Sequence, residues 1–284
     1  MPDFGIFRGF NEKLFGDKLY AGQLPTQLGV IGSESTFDID ALAFFARVTT
    51  AGGTLSATEQ LAINTLVVQM KEDGIWTKMK AIYPMVGASS AACAQNLKSS
   101  SFTATFTNGW SFASDGITPN NSYMNTFLIC SNELISNSSH FSQYFQQSTA
   151  GANSSFDWGA QNSSGAFAGS YNFNGNLYMR IETSANQFVQ SVDNSAGFRL
   201  ISRTASNITK LYVNNTNTYT SNTSSTGYPN IELYIGQFNS NGSPLGSSAR
   251  KFSFASIGDG LSDAEASDFY DSIQTFQTTL SRNV

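Results

Sequence analysis

Charge is scarce in this chain. Of its 284 residues only 12% are Asp, Glu, Lys or Arg, about half of the roughly 25% found in ordinary soluble domains. Histidine occurs once, at His140, and cysteine twice, at Cys93 and Cys130. Two cysteines cannot build a disulfide framework, and each lies near an expected strand, where it reads as a small buried hydrophobe. A triad hydrolase needs a histidine base beside its nucleophile. His140 stands among Ser138, Ser139 and Phe141, which predicts a surface or strand-end position, and no Gly-x-Ser-x-Gly elbow is present. The 15 basic residues are scattered among 20 acidic ones, which argues against nucleic acid as a partner. No apolar run approaches the roughly 20 residues that would span a bilayer, so no membrane partner is expected. Met1-Pro-Asp-Phe-Gly5 lacks a basic stretch followed by an apolar one, so no signal peptide is expected and synthesis is placed in a cytoplasm.

Asn, Ser, Thr and Gly take the place of the missing charges, and 40% of residues are hydrophobic. That is enough to form a core in a chain able to bury roughly 75% of its unfolded surface. Residues 1–35 form a distinct opening. Phe4, Phe7, Phe10, Phe15 and Tyr20 are spaced by glycines without a period of two or 3.6, and exposed aromatics on such a segment call for a surface to dock on. Residues 36–75 read as a helical hairpin: Ile39, Leu42, Ala43, Phe45 and Ala46 have helical spacing behind Asp38, and Ser56-Ala-Thr-Glu59 is a capping box. From 76 onward, about ten short runs with alternating character recur between Asn, Gly and Ser clusters. Phe141–Phe145, Asn176–Ile181, Lys210–Val213 and Lys251–Ala255 are among them. This spacing predicts an antiparallel sandwich. Ser262-Asp-Ala-Glu265 is a second capping box, and Ala266, Phe269, Ile273, Phe276 and Leu280 predict a closing helix laid on the sandwich.

Three stretches carry a resemblance. Ala57–Gly87 resembles the opening of a concanavalin A-like (laminin G-like) domain of phage tail and virion proteins. Asn96-Leu-Lys, Phe106-Thr-Asn-Gly-Trp110 and Tyr123–Leu128 continue it in order. Phe252–Ala266 with Ile273–Leu280 resembles that family's closing strand and helix. The resemblance spans about 36–284. It implies a mainly β, antiparallel concanavalin A-like jelly-roll sandwich over 76–284, preceded by the hairpin and an N-terminal attachment segment and closed by the C-terminal helix. It implies a bacteriophage virion protein (a head fibre, capsid decoration or tail component) made in the host bacterial cytoplasm, with other virion proteins as partners. Phe4, Phe7, Phe10, Phe15 and Tyr20 are then the expected virion-attachment residues. A closed homo-oligomer is expected, a trimer first.

Glycosidases of similar fold pair carboxylates on one strand. Here Glu182 and Glu232 each stand alone in their strands, so no catalytic residue is assigned and binding is expected rather than catalysis. Glycan cleavage is a lesser alternative. Asp38-Ile-Asp40 suits helix capping better than metal, and Asp259-Gly260 suits a turn, so no metal ligand is assigned. Lectins of this class leave room for a single calcium ion, the one cofactor considered. Trp110, Trp158, Tyr171, Tyr219 and Tyr228 fall in or beside loops rich in Asn, Ser and Gly, where a flat ring flanked by amides and hydroxyls suits a sugar. They are the ligand-binding candidates. Trp158 is expected to be a loop residue outside the core. The expected function is display of a lectin-like domain that binds host-surface glycan. The alternative is a passive decoration without a specific ligand.

Overall fold

The computed structural model describes residues 37–107, 109–147, 155–173, 176–184, 188–191 and 196–284. Phe4, Phe7, Phe10, Phe15 and Tyr20 lie outside the described residues. The chain from Phe37 to Val284 is one compact unit. It opens with α1 (Ile39–Thr50) and α2 (Ala57–Glu72). Asp38 caps α1 by accepting the Asp40 N–H, and Lys71 of α2 lies 2.6 Å from both Asp38 and Asp40. At α2 the Ser56 hydroxyl accepts from the Glu59 N–H while the Glu59 carboxylate accepts from the Ser56 N–H. Ser262 and Glu265 repeat this reciprocal cap at α5 (Asp263–Thr279). Both boxes were legible because capping depends on residues three apart. Two single-turn helices, α3 (Ser90–Cys93) and α4 (Cys130–Glu133), lie between strands.

Among the described residues the strands form two sheets. The eight-stranded sheet runs β13 (Thr216–Ser221), β12 (Ile208–Val213), β11 (Gly197–Ala205), β6 (Ser139–Phe145), β17 (Phe252–Gly258), β4 (Gly116–Thr118), β3 (Ser111–Ala113), with β1 (Met79–Tyr83) also on β17. The nine-stranded sheet runs β10 (Phe188–Ser191), β9 (Asn176–Arg180), β8 (Phe167–Phe173), β7 (Ser155–Gln161), β14 (Glu232–Ile235), β5 (Met124–Ile129), β2 (Thr105–Phe106). A hairpin of β15 (Gln237–Ser240) and β16 (Ser243–Ser247) joins it at β7. All pairings are antiparallel except the short β15–β7 contact. The sheets face each other across a core that includes Phe141, Phe145, Trp158, Leu177, Met179, Ile201, Leu211, Leu233 and Ile257. This is the antiparallel sandwich that the alternating runs predict.

A second core lies on the outer side of the eight-stranded sheet. There Tyr144, Phe198, Leu200, Tyr212 and Phe254 pack with Phe44, Leu66, Met70, Phe269, Ile273 and Phe276 of α1, α2 and α5. A sheet covered on both faces cannot keep polar residues on alternate positions, and every residue of β6 and β17 is buried. A bulge between Phe252 and Phe254 turns Phe252 and Ile257 to the inner core and Phe254 to the helices.

This double cover corrects one expectation. His140 stands at the head of β6, the strand-end position expected, but is fully buried rather than at a surface. Its Nδ1–H donates to the Asp259 carbonyl at 2.6 Å, its Nε2 accepts from the Ser256 hydroxyl at 3.1 Å, and Ser142 lies 2.6 Å from Ser256. The carbonyl can only accept, which fixes the proton on Nδ1. Burial pushes the His140 pKa down to about 4. Cys93 and Cys130 are free, buried in the inner core, and burial pushes each thiol up to about 12.

Candidate functional site

The structure disperses the five aromatic candidates. Trp158 is 2% exposed on β7 and stacks on Phe141 at 4.2 Å between the sheets. The expectation of a loop residue fails because Gly159 and a bulge at Phe156–Trp158 hide the strand alternation. Trp110 meets Phe106 at 5.3 Å and covers Gly236, where an added Cβ would lie 2.7 Å from the indole. It plugs the inner core instead of standing free. Tyr228 packs against the same core and donates to the Ile135 carbonyl. Tyr219 is 45% exposed on β13, an outermost strand of the eight-stranded sheet. Tyr171 alone of the five lies on the outer face of the nine-stranded sheet, and that face is where the other groups able to meet a ligand collect.

Register places the residues of this face. In β8 and β9, Ala168, Leu177 and Met179 point to the inner core. The residues between them, Phe167, Tyr171, Tyr178 and Arg180, therefore point outward. One row across the strands pairs Tyr178 with Tyr171 and Tyr171 with Phe156. The next pairs Arg180 with Gly169, Gly169 with Gly159, Gly159 with Tyr234, and Tyr234 with Asn125. Two glycines side by side leave a hollow in the middle of the face, and neighbouring rings fill it. A Cβ on Gly159 would fall 2.6 Å from the Phe238 ring, and one on Gly169 would fall 3.0 Å from Phe167.

The result is a ladder of stacked rings. Tyr178 stacks on Tyr171 at 4.8 Å, Tyr171 on Phe156 at 5.2 Å, Phe156 on Phe238 at 4.6 Å and Phe238 on Phe167 at 4.8 Å. The Arg180 guanidinium lies 4.7 Å from the Phe167 ring centre and donates to the Tyr171 hydroxyl at 2.8 Å. Tyr123 and Tyr234 form a parallel pair at 4.1 Å, and burial together with the Tyr123 hydroxyl pushes the Tyr234 phenol up to about 12. Beyond them the Asn125 amide donates to Glu232 at 2.9 Å and its carbonyl oxygen accepts from the Phe127 N–H at 2.9 Å. Phe127 is 44% exposed.

Sequence reasoning named Tyr171 and weighed Glu232 only as a lone carboxylate. It passed over Phe127, Phe156, Tyr178, Arg180 and Asn125. A signal existed for two of these: in Asn176-Leu-Tyr-Met-Arg180 the alternation marks Tyr178 and Arg180 as outward.

Elsewhere the buried carboxylates Glu182 and Asp157 are committed to structure. Glu182 and Arg203 are buried together at 3.7 Å, and Glu182 also accepts from Ser136 and the Asn137 N–H. Asp157 lies buried 3.5 Å from Arg250 and accepts from Ser248. A cleft of about 620 Å³ lined by Thr54, Ser56, Glu59 and Thr279 lies at the start of α2, but both Glu59 carboxylate oxygens there are taken by the Gly87 and Ser56 N–H groups. Among the described residues no three His, Cys, Asp or Glu side chains gather as metal ligands, and no helix is long and apolar enough to cross a membrane.

No protein-family model and no curated protein matches the sequence. Solved structures do match by shape. The chain is similar to domain 4 of AbnA, a GH43 extracellular arabinanase from Geobacillus stearothermophilus solved in complex with arabinotriose. That match has a TM-score of 0.50 and 12% identity over 68% of this chain and 98% of the domain. A Trypanosoma rangeli sialidase mutant displaying trans-sialidase activity matches with a TM-score of 0.49 and 12% identity, over 76% of this chain and 39% of the sialidase. A mutant of the NanB sialidase from Streptococcus pneumoniae matches with a TM-score of 0.40 and 14% identity, over 57% of this chain and 27% of that enzyme. The chain thus spans well under half of either sialidase, and it is the arabinanase domain whose β-sandwich fold it shares.

Proposed function

We propose that this chain is a bacteriophage virion protein, a head fibre, capsid decoration or tail component, whose sandwich binds host-surface glycan through the outer face of its nine-stranded sheet. One observation carries the binding reading. The outer face of the eight-stranded sheet is covered over its central strands by α1, α2 and α5, whereas the opposite face presents the part-exposed rings of Tyr123, Phe156, Tyr171 and Tyr178 and the exposed Phe127 beside neutral amide and phenol groups. Rings with polar neighbours suit sugars, which offer apolar faces and polar edges. The likeness to an arabinanase domain solved with arabinotriose supports the same reading.

Binding is favoured over cleavage. Glycoside hydrolysis takes two carboxyl groups about 5–9.5 Å apart, and Glu232 is the one carboxylate that the described strands place on this face. The virion reading rests on the resemblance over residues 36–284, with Phe4, Phe7, Phe10, Phe15 and Tyr20 as the attachment residues. Self-association is supported by α1, where Ile39 (77% exposed) and Leu42 (37% exposed) extend with Ala43 and Ala46 into an apolar strip at helical spacing. Several weak sugar sites on one closed oligomer would gain about 10²–10⁴-fold in avidity. Binding to host cells with and without surface polysaccharide tests the glycan reading. Incorporation of a chain starting at Thr36 into particles tests the attachment reading. Equal binding to both cell types, or normal copy number of the truncated chain, overturns the respective half.

A further inference from the structure

Within the face just described, most rings have already spent their faces on each other. In a ladder spaced by 4.6–5.2 Å, every inner ring is covered on both sides by its neighbours, and Phe238 and Phe167 are buried outright. Arg180 occupies the remaining space over Phe167 and bonds the Tyr171 hydroxyl. The Tyr123–Tyr234 pair consumes one face of each partner. A sugar that stacks needs a ring face left open.

Phe127 has one, and the backbone pays conformational strain to present it. Between the β5–β14 pairings Asn125–Tyr234 and Ile129–Glu232, three residues of β5 stand opposite the single residue Leu233. Thr126 and Leu128 are fully buried, with the Thr126 hydroxyl donating to the Leu233 carbonyl at 2.8 Å and accepting from the Leu128 N–H. Phe127, between them, is expelled outward with a φ of 56°. A bulky side chain in that region is a backbone outlier. Other large residues with positive φ recover the cost locally: Met85 is fully buried, Phe102 packs on the inner core, and Glu182 is held by Arg203. Phe127 is 44% exposed and makes no ring contact among the described residues, so packing does not recover the cost.

The surroundings of Phe127 define a ligand class. Asn125 is fixed by two hydrogen bonds, one to the Phe127 N–H and one to Glu232 Oε2. A carboxylate held this way can accept from vicinal hydroxyls beside a stacked sugar ring. Arg180, the one cation that the described strands place on this face, lies three strands from Glu232, about 14 Å at a strand spacing of about 4.8 Å, and four from Phe127. A carboxylate without a nearby cation disfavours sialic and uronic acids.

We infer that Phe127 and Glu232 form the principal contact of this face, and that it takes a neutral sugar residue with an apolar face and vicinal hydroxyls. The inference rests on the glycan-binding reading. An array of neutral and acidic oligosaccharides, probed with the full chain, tests both in separable ways. Phe127→Gly removes the ring while relaxing the positive φ, because glycine adopts that region freely. It should weaken binding to neutral glycans by at least about tenfold with a melting temperature equal to or above that of the parent. Phe127→Asn serves the same purpose should glycine loosen the strand. Glu232→Gln should weaken the same binding without creating binding to acidic glycans. If the parent binds neutral glycans and Phe127→Gly binds within twofold of it, the contact assignment is wrong while the reading of the face stands. Binding confined to acidic glycans overturns the neutral class. A parent that binds neither the array nor host cells overturns both.

Discussion

The eight-stranded sheet is covered on its outer side by α1, α2 and α5, and its central strands are buried throughout; the nine-stranded sheet carries side chains of the same size on its outer side and leaves Tyr123, Phe127, Phe156, Tyr171 and Tyr178 partly or largely open. On the covered side, rings meet edge to face: Phe269 approaches His140 at 6.0 Å, Phe198 at 5.6 Å and Phe254 at 6.1 Å from three strands and one helix. On the open side, most rings line up parallel across neighbouring strands, and among the described residues no helix ring joins them. The first arrangement stabilises because it removes apolar area from water. The second removes less area and keeps groups available, which is the arrangement a binding surface requires. Stability, and under the proposed reading recognition, then fall on opposite faces of one sandwich.

Substitutions on the two faces should therefore differ in kind. The largest effect is expected at Phe269, fully buried at the centre of the helix–sheet layer. Phe269→Ala should cost about 3–5 kcal/mol, read as a shifted urea midpoint. A cost below about 1 kcal/mol would mean that the helices are not part of the cooperative unit.

Next comes pH, acting through His140 on the same covered face. Its pKa is pushed down to about 4 by burial, against 6.5 for the ordinary group. Above pH 6.5 it is neutral in both states and has no effect. As pH falls from 6.5 toward 4 the unfolded chain takes up a proton that the folded chain refuses, so stability is lost across that window and the loss levels off below pH 4. The total is about 3 kcal/mol. His140→Gln should flatten this part of the pH–stability curve measured by denaturant titration.

The caps contribute less. Ser56→Ala and Ser262→Ala should each cost about 1 kcal/mol in thermal or denaturant unfolding and leave the fold unchanged. The smallest stability effect is expected on the open face. Tyr178→Ser removes the end ring of the ladder, which covers only one neighbour, and should cost less than about 1 kcal/mol, while glycan binding at Phe127 and Glu232, three to four strands away, measured by calorimetry, stays within about twofold. A cost as large as that of Phe269→Ala would abolish the distinction between the faces.

What the sequence determined by itself is what depends on neighbours within a few positions. Ser56 with Glu59 and Ser262 with Glu265 announce helix starts because the partners lie one turn apart. Asn176-Leu-Tyr-Met-Arg180 announces a two-faced strand because alternation is a property of the pleat. β7 escaped because Gly159 and a bulge interrupt the alternation of Ser-Phe-Asp-Trp-Gly-Ala-Gln, and β13 escaped because Thr-Asn-Thr-Tyr-Thr-Ser carries one ring among neutral polar groups. The site was less legible than the fold. Only the pairing of β7 with β8 and of β14 with β5 decides that Trp158 points inward while Tyr171, Glu232 and Asn125 share an open face. Likewise, only the laying of α1, α2 and α5 over one sheet and not the other decides that His140 is buried and that Phe127 meets solvent. Local pattern says which residues alternate. Which side is then covered depends on elements distant in sequence, and no short stretch of chain contains that information.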